Sequence, residues 1–434
     1  MNWGFMTSDK KFAPFFWTQF WGAFNDNFFK NALVVLVAFR GVQLLGLDSG
    51  ALIAAAGGLF ILPFFLFSPL AGQLCDKYEK SRVIRATKVL EIVIMLLAAL
   101  GFLLQNYLIL LFLLFLMGTQ SAFFGPAKYS IIPDIVSEKR LTEATAFIEL
   151  GTFLSILLGT IAGGLITSVS GADLWIGLGL IAFAVIGYWT SRGVPATPIG
   201  APQLKITYNP FPEYLSLWRI IASKPSIFYS VFAISWFWFF GAGVLSVLPI
   251  YVKDYLMGTE GVVTLFLAMF TVGVGIGSML CEKMSRGEAE IGVVPIGAVG
   301  MTLFFLDIYW VGMPWEEAVA GSVSVPQFFS SFNGIRLTVD FILMAVFGGI
   351  FIVPLYTLLQ ERSEASLRSR VIAANNVFSA FFMVLASILV LVFYQIPLNP
   401  VEIFATFSIM NLVVTFAIFA RVPEFFNRFV AWLR

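Results

Sequence analysis

The chain contains no histidine, only two cysteines and few charges, with Asp, Glu, Lys and Arg together making 12% of its 434 residues. Without an imidazole it has neither the usual general base nor a histidine ligand for a metal. Cys75 and Cys281, each at an expected helix end, make neither a disulfide framework nor a zinc site, so two reduced structural thiols are expected. A glycine-rich phosphate loop ending in Lys-Ser/Thr is missing, and so is a Gly-x-Ser-x-Gly elbow. No enzymatic activity, ATP consumption, metal or cofactor is therefore expected. The scarcity of charge also excludes a soluble domain, where roughly 25% of residues are charged. A net charge of +1 gives no footing for nucleic acid.

What fills the chain is apolar: 59% of residues are hydrophobic and the mean hydropathy is +0.91, the composition of an integral membrane protein. Apolar runs long enough to span fall near 13–40, 50–73, 86–104, 107–131, 143–168 and 172–191 in the first half. The second half repeats the count near 226–252, 260–281, 291–311, 336–359, 371–394 and 400–420. The expected fold is an all-α membrane protein of twelve transmembrane helices in two six-helix bundles, 1–192 and 225–421. A proline-rich linker, 193–224, joins them, and an amphipathic segment, 422–434, follows.

Of the 26 basic residues, only Lys30, Arg40, Lys253 and Arg336 fall away from one side when the spans are laid out. That bias predicts both termini in the cytoplasm, which an even span count requires. The N-terminus lacks the pattern of a cleaved signal peptide, so the first helix is expected to target the chain. Leu74-Cys75-Asp76-Lys77 closes the second span and Leu280-Cys281-Glu282-Lys283 the eighth, an echo that fits two parallel halves. Gly159, Gly163 and Gly164 in the fifth span, and Gly273, Gly275 and Gly277 in the eighth, form stripes suited to close helix packing.

Charges inside a span are costly, about 2.5–3.5 kcal/mol each at its centre on insertion scales, and they mark solute pathways. Asp26 and Lys30 stand one helical turn apart in the first span, with Asn25 and Asn27 flanking the acid. Two readings are open: a neutralised pair within one helix, with Lys30 reaching for water, or the lining of a polar cavity. Asn375 and Asn376 in the eleventh span would add donors to such a space, or serve helix contacts instead. Asp307 and Asp340 are weaker candidates.

Gly72-Gln-Leu-Cys-Asp76-Lys77-Tyr78-Glu79-Lys80-Ser81-Arg82 resembles the Gly-x-Leu-x-Asp-Arg/Lys-x-Gly-Arg/Lys signature of the major facilitator superfamily, with Glu79 in place of the second glycine. The resemblance implies a gating role for Gly72, Asp76 and Arg82. Four further segments, read in order, are similar to the bacterial lysophospholipid transporter family. They are Gly22-Ala-Phe-Asn25-Asp26-Asn27, Pro126-Ala-Lys128-Tyr129-Ser-Ile131, Glu149 ahead of Leu157 to Gly164, and Gly348 to Arg362. By this resemblance Asp26, Lys128 and Glu149 match the family's acidic, basic and acidic positions in the first, fourth and fifth helices. Asn375 and Asn376 match a polar position, and the family's seventh-helix arginine is absent after Gly241-Ala-Gly-Val244.

The resemblance implies a flippase that moves lysophospholipids from the outer to the inner leaflet of the bacterial inner membrane by alternating access. The resemblance also implies that the delivered lipid would be re-acylated by a functionally coupled or fused acyltransferase/acyl-carrier-protein synthetase. The expected head-group site holds Asp26, Lys30, Asn25, Lys128, Glu149, Asn375 and Asn376, with lysines meeting the phosphate and carboxylates the ammonium. The single acyl chain would trail into membrane lipid. The rival expectations are a proton-coupled exporter of amphipathic small molecules on the same scaffold, and a membrane scaffold for the acyltransferase system.

Overall fold

A computed structural model describes residues 4–285, 291–311, 323–396 and 398–433. The first residues of the first expected bundle, Arg434 of the expected amphipathic segment and part of the interruption from Met313 to Ile335 lie outside them. The spanning helices are α1 Phe12–Phe39, α2 Ser49–Lys77, α3 Lys80–Leu103, α4 Tyr107–Ser130, α5 Leu141–Leu165 and α6 Ala172–Ser191. They continue as α7 Pro225–Ile250, α8 Glu260–Met284, α9 Val294–Val311, α10 Phe332–Arg362, α11 Arg368–Gln395 and α12 Pro400–Arg421. Eleven of them are apolar enough to cross a membrane on composition alone, and α1, 28 residues long, is the one that carries Asn25, Asp26 and Lys30. The twelve-helix expectation is borne out, because only a helix satisfies every backbone group of an apolar run without water.

Polar punctuation sets the ends. Asp9 accepts from the backbone of Lys11 and Phe12 to start α1, Asp48 caps α2 at Ala51, and Asn106 caps α4 at Ile109. Asn399 and Glu402 form a reciprocal capping box on α12. One boundary departs consequentially from the reading: α3 begins at Lys80 rather than near 86, which carries Lys88 and Glu91 well inside the helix.

By contacts the chain falls into two compact units. One comprises Asn2–Lys224 with Leu359–Ala380, and the other Pro225–Leu358 with Phe381–Arg434. In the first, α1 lies so close to α5 that a Cβ on Gly159 or Gly163 would strike the carbonyls of Phe24 or Phe28. An apolar cluster of Phe29, Leu33, Leu36, Ile94, Ala98, Leu114, Ile176 and their neighbours joins α1, α3, α4 and α6. In the second unit Gly273 and Gly277 of α8 meet the α10 backbone in the same manner. Cys75 and Cys281 are buried at the corresponding ends of α2 and α8.

The segment between α6 and α7 contains a helix of its own, Pro210–Ala222, started by the Asn209 side chain on the Phe211 N–H. It is tied down along its length. Ala201 N–H donates to the Asp76 carbonyl at 2.7 Å, Gln73 exchanges two hydrogen bonds with the Thr207 backbone, and the Tyr214 hydroxyl donates to the Phe65 carbonyl. The Trp218 ring lies 5.9 Å from that of Phe378 on α11. In the second unit a terminal helix, Pro423–Leu433, buries Phe425 and anchors Trp432 Nε1 on the Met284 carbonyl at 3.1 Å.

Candidate functional site

Three consecutive polar residues on a helix point about 100° apart, so Asn25, Asp26 and Asn27 cannot face one partner. Asn25 turns toward α3 and α6, donating to Glu91 Oε1 at 3.0 Å and to the Leu180 carbonyl at 3.3 Å. Asp26 turns toward α4, where the Ser121 hydroxyl donates to Oδ2 at 2.6 Å and Oδ1 is buried without a hydrogen-bond partner. Asn27 returns a bond to the Ala23 carbonyl of its own helix. The Lys30 ammonium stands over the Phe60 ring of α2, 5.3 Å from its centre.

Glu91 was not among the residues read from the sequence, and it is the hub of this region. Its Oε2 accepts from Lys88 Nζ at 2.7 Å and from Gln120 Nε2 at 3.4 Å, while Oε1 takes Asn25. Lys88 and Glu91 are 1% and 0% exposed. The ammonium fits because Gly22 has no side chain: a Cβ there would collide with Nζ. Gly187 of α6 borders the same slot, and the Phe124 ring lies 5.2 Å from Nζ. The signal was present as a Lys and a Glu three apart inside the expected 86–104 span, but no motif or resemblance singled them out.

The next turns of α4 and α5 bring together two more of the expected residues. Lys128 Nζ donates to Thr152 Oγ1 at 2.6 Å, and Thr152 lies 3.1 Å from Gln19 Oε1 of α1. Tyr129 hydroxyl donates to Glu149 Oε1 at 2.7 Å, leaving Oε2 buried without a partner. Asp26 and Glu149 are the two carboxylates whose charge Lys128 feels. Asn375 of α11 is fully buried with neither amide atom hydrogen-bonded, whereas Asn376 packs its amide on Gly125 of α4. Elsewhere Asp307 is clasped by Arg336 at 2.6 and 3.0 Å, and Asp340 is buried with Oδ2 unpartnered.

At the far end of α2, Asp76 accepts from the backbone N–H groups of Ser369 at 3.0 Å and Arg370 at 3.3 Å, and from Arg370 Nε at 3.2 Å. Those N–H groups belong to the first turn of α11, where no helical carbonyl is available to them. Gly72 sits against Ala373 and the Ser369–Arg370 backbone, 2.7 and 3.1 Å from a would-be Cβ. Lys80 and Arg368 share Asp134 at 2.7 and 3.2 Å. Arg82 stands apart from this cluster: it is 79% exposed and pairs with Glu79 at 2.9 Å. The Ser81 hydroxyl bond holds the Glu79 carboxyl below its usual range. Burial pushes the Glu213 carboxyl of the linker helix above its usual range, with nearby Arg370 opposing and Asp76 adding to the rise.

Comparison with known proteins agrees with the architecture. The chain is 28% identical over 329 residues to the lysophospholipid transporter LplT of Klebsiella pneumoniae (strain 342), covering 73% of this chain and 74% of that one. It is 27% identical over 371 residues to LplT of Serratia proteamaculans (strain 568), covering 82% of both. Among solved structures it superposes on the proton:xylose symporter XylE with a TM-score of 0.71 at 12% identity, covering 98% and 97% of the two chains. The fucose transporter FucP in its outward conformation gives 0.69 at 14% identity, covering 94% and 98%. The Major Facilitator Superfamily pattern matches residues 15–387. With this match and the twelve-helix architecture, the chain belongs to the Major Facilitator Superfamily of membrane transporters.

Proposed function

We propose that this transporter carries lysophospholipids from the outer to the inner leaflet of the bacterial inner membrane by alternating access, for re-acylation. The observation that carries the reading is the polar track on α1, α4, α5 and α11. There Lys128 and two carboxylates sit among buried atoms that have no hydrogen-bond partner: Asp26 Oδ1, Glu149 Oε2 and both amide atoms of Asn375. Such atoms cost free energy unless something completes them. A phosphate beside an ammonium, as in a lysophosphatidylethanolamine head group, supplies acceptors for Lys128 and Lys30 and donors for the carboxylates. The similarity to proteins named lysophospholipid transporter supports the same substrate class.

In this reading Asp26, Lys30, Lys128, Glu149, Asn375 and Asn376 bind the head group. Asn25, closed off against Glu91 and α6, holds the first helix in place. Gly72 and Asp76 act at the gate, with Arg82 an outer member. The bundles 1–192 and 225–421 are the moving bodies, joined by the linker 193–224, and both termini face the cytoplasm, where an acyltransferase/acyl-carrier-protein synthetase takes the product.

The test is uptake of labelled lysophosphatidylethanolamine into proteoliposomes, with and without a proton or sodium gradient. Saturable uptake lost on Asp26→Ala in a folded protein is expected. Absence of uptake together with gradient-dependent efflux of amphipathic drugs would make the chain an exporter. Full acyltransferase function alongside a transport-dead chain would make it a scaffold.

A further inference from the structure

The buried Lys88–Glu91 pair has no evident packing purpose. Desolvating two charges costs several kcal/mol per ion, and neutral residues of similar volume commonly hold such a position as well or better. The apolar contacts of α1, α3, α4 and α6 already bind these helices together. What neutral residues would not reproduce is the pattern of hydrogen bonds that radiates from Glu91.

A carboxylate only accepts, so the side chain facing Glu91 from α4 must present its NH2 group. Gln120 does so at 3.4 Å, which turns its carbonyl oxygen toward Ser121 Oγ, 3.2 Å away. The Ser121 hydroxyl has one hydrogen and two acceptors within reach, Asp26 Oδ2 at 2.6 Å and Gln120 Oε1 at 3.2 Å. Asn25, held by the other oxygen of Glu91, fixes the rotation of α1 one residue before Asp26. Lys88, in the slot left by Gly22, donates to Glu91 Oε2 at 2.7 Å from the other side.

We propose that Glu91 and Lys88 are positioning residues that hold Gln120 as a standby acceptor, so that Ser121 can release Asp26 to a substrate ammonium without stranding its hydroxyl hydrogen. The ammonium then bonds both Asp26 oxygens, completing the unpartnered Oδ1 and displacing the serine donor from Oδ2, and the serine hydrogen moves to Gln120 Oε1. The exchange leaves no buried donor unpaired, so recognition of the ammonium does not carry the cost of an orphaned hydroxyl. The inference rests on the reading of Asp26 as a head-group ligand.

The test pairs K88M/E91M, which leaves no acceptor for the Gln120 NH2, with Q120L, reading thermal stability and the KM and kcat of lysophosphatidylethanolamine uptake in proteoliposomes. The double variant removes both charges together, and stability at or near that of the wild type is expected. For both variants KM is expected to rise about tenfold with kcat little changed, the signature of lost ground-state binding by one charge-assisted hydrogen bond. Q120L leaves the ion pair intact and reports on the standby acceptor alone. Wild-type KM in either folded variant overturns the proposal while leaving the substrate assignment standing. A loss of kcat with unchanged KM also overturns it. A wild-type protein without lysolipid uptake overturns both.

Discussion

The carboxylate of Asp76 reaches 293 positions along the chain to accept the backbone N–H of Ser369, capping α11 from the end of α2. Arg370 adds its own N–H and its guanidinium to the same acid. Replacing Asp76 by Asn keeps one oxygen but loses the charge that complements both the helix terminus and Arg370. A loss of about 1–3 kcal/mol is expected, together with impaired uptake, measured by thermal unfolding and transport. Arg82→Ala, removing an exposed pair with Glu79, is expected to change stability by no more than about 0.5 kcal/mol. Equal effects of the two substitutions would contradict this division of the motif.

Gly22→Ala places a methyl group where the Lys88 ammonium lies, against a side chain confined by Glu91, Gly187 and Phe124. Overpacking of this kind costs about 1–3 kcal/mol, and uptake should fall with it. Gly187→Ala meets Lys88 at an ordinary 3.6 Å and should be tolerated. Melting temperatures in detergent separate the two outcomes.

Lys128 is held by Thr152 through one hydrogen bond, with Glu149 and Asp26 in electrostatic range. Lys128→Met should leave the helices packed but lower uptake of a phosphate-bearing lysolipid by at least about tenfold, one charge-assisted hydrogen bond being worth that much. Glu149→Gln retains an acceptor for Tyr129, so its effect should be the smaller of the two. Uptake unchanged in Lys128→Met would remove the lysine from the site.

Glu213 gives a pH dependence with a defined sign. Burial raises its carboxyl above the ordinary 4.5 of glutamate, with Arg370 opposing and Asp76 adding to the rise. The folded state therefore binds the proton more tightly than the unfolded chain, and the stabilising contribution is complete below 4.5 and is lost as pH rises through the folded value. Hydrogen exchange across 205–217 should show tighter docking of the linker helix in acid, and Glu213→Gln should flatten that slope. A wild-type slope of the opposite sign would refute the assignment.

Helix positions were legible because the cost of unpaired backbone groups in lipid forces each long apolar run into a helix. The span 172–191 was read to the residue, and 400–420 to within one. Asp26 and Lys30 were legible as charges out of place, and Lys128 and Glu149 through the resemblance of their segments to the lysophospholipid transporter family. Lys88 and Glu91 were not, because no motif or resemblance singled them out, and their embedding shows only when the helix is seen to begin at Lys80. The helix Pro210–Ala222 was hidden by the prolines around it, although a proline in the first turn starts a helix as readily as it ends one.

Composition and periodicity by themselves determined a twelve-helix membrane protein and the few polar side chains that its apolar runs must accommodate, and the resemblance of its motifs implied a transporter. Only the tertiary structure decided which of those side chains meet. Pairing across helices depends on rotation about each helix axis and on partners hundreds of positions away, such as Ser369 for Asp76 and Glu91 for Asn25. Hydropathy constrains neither, since it records how costly a charge is to bury and not which neighbour repays that cost.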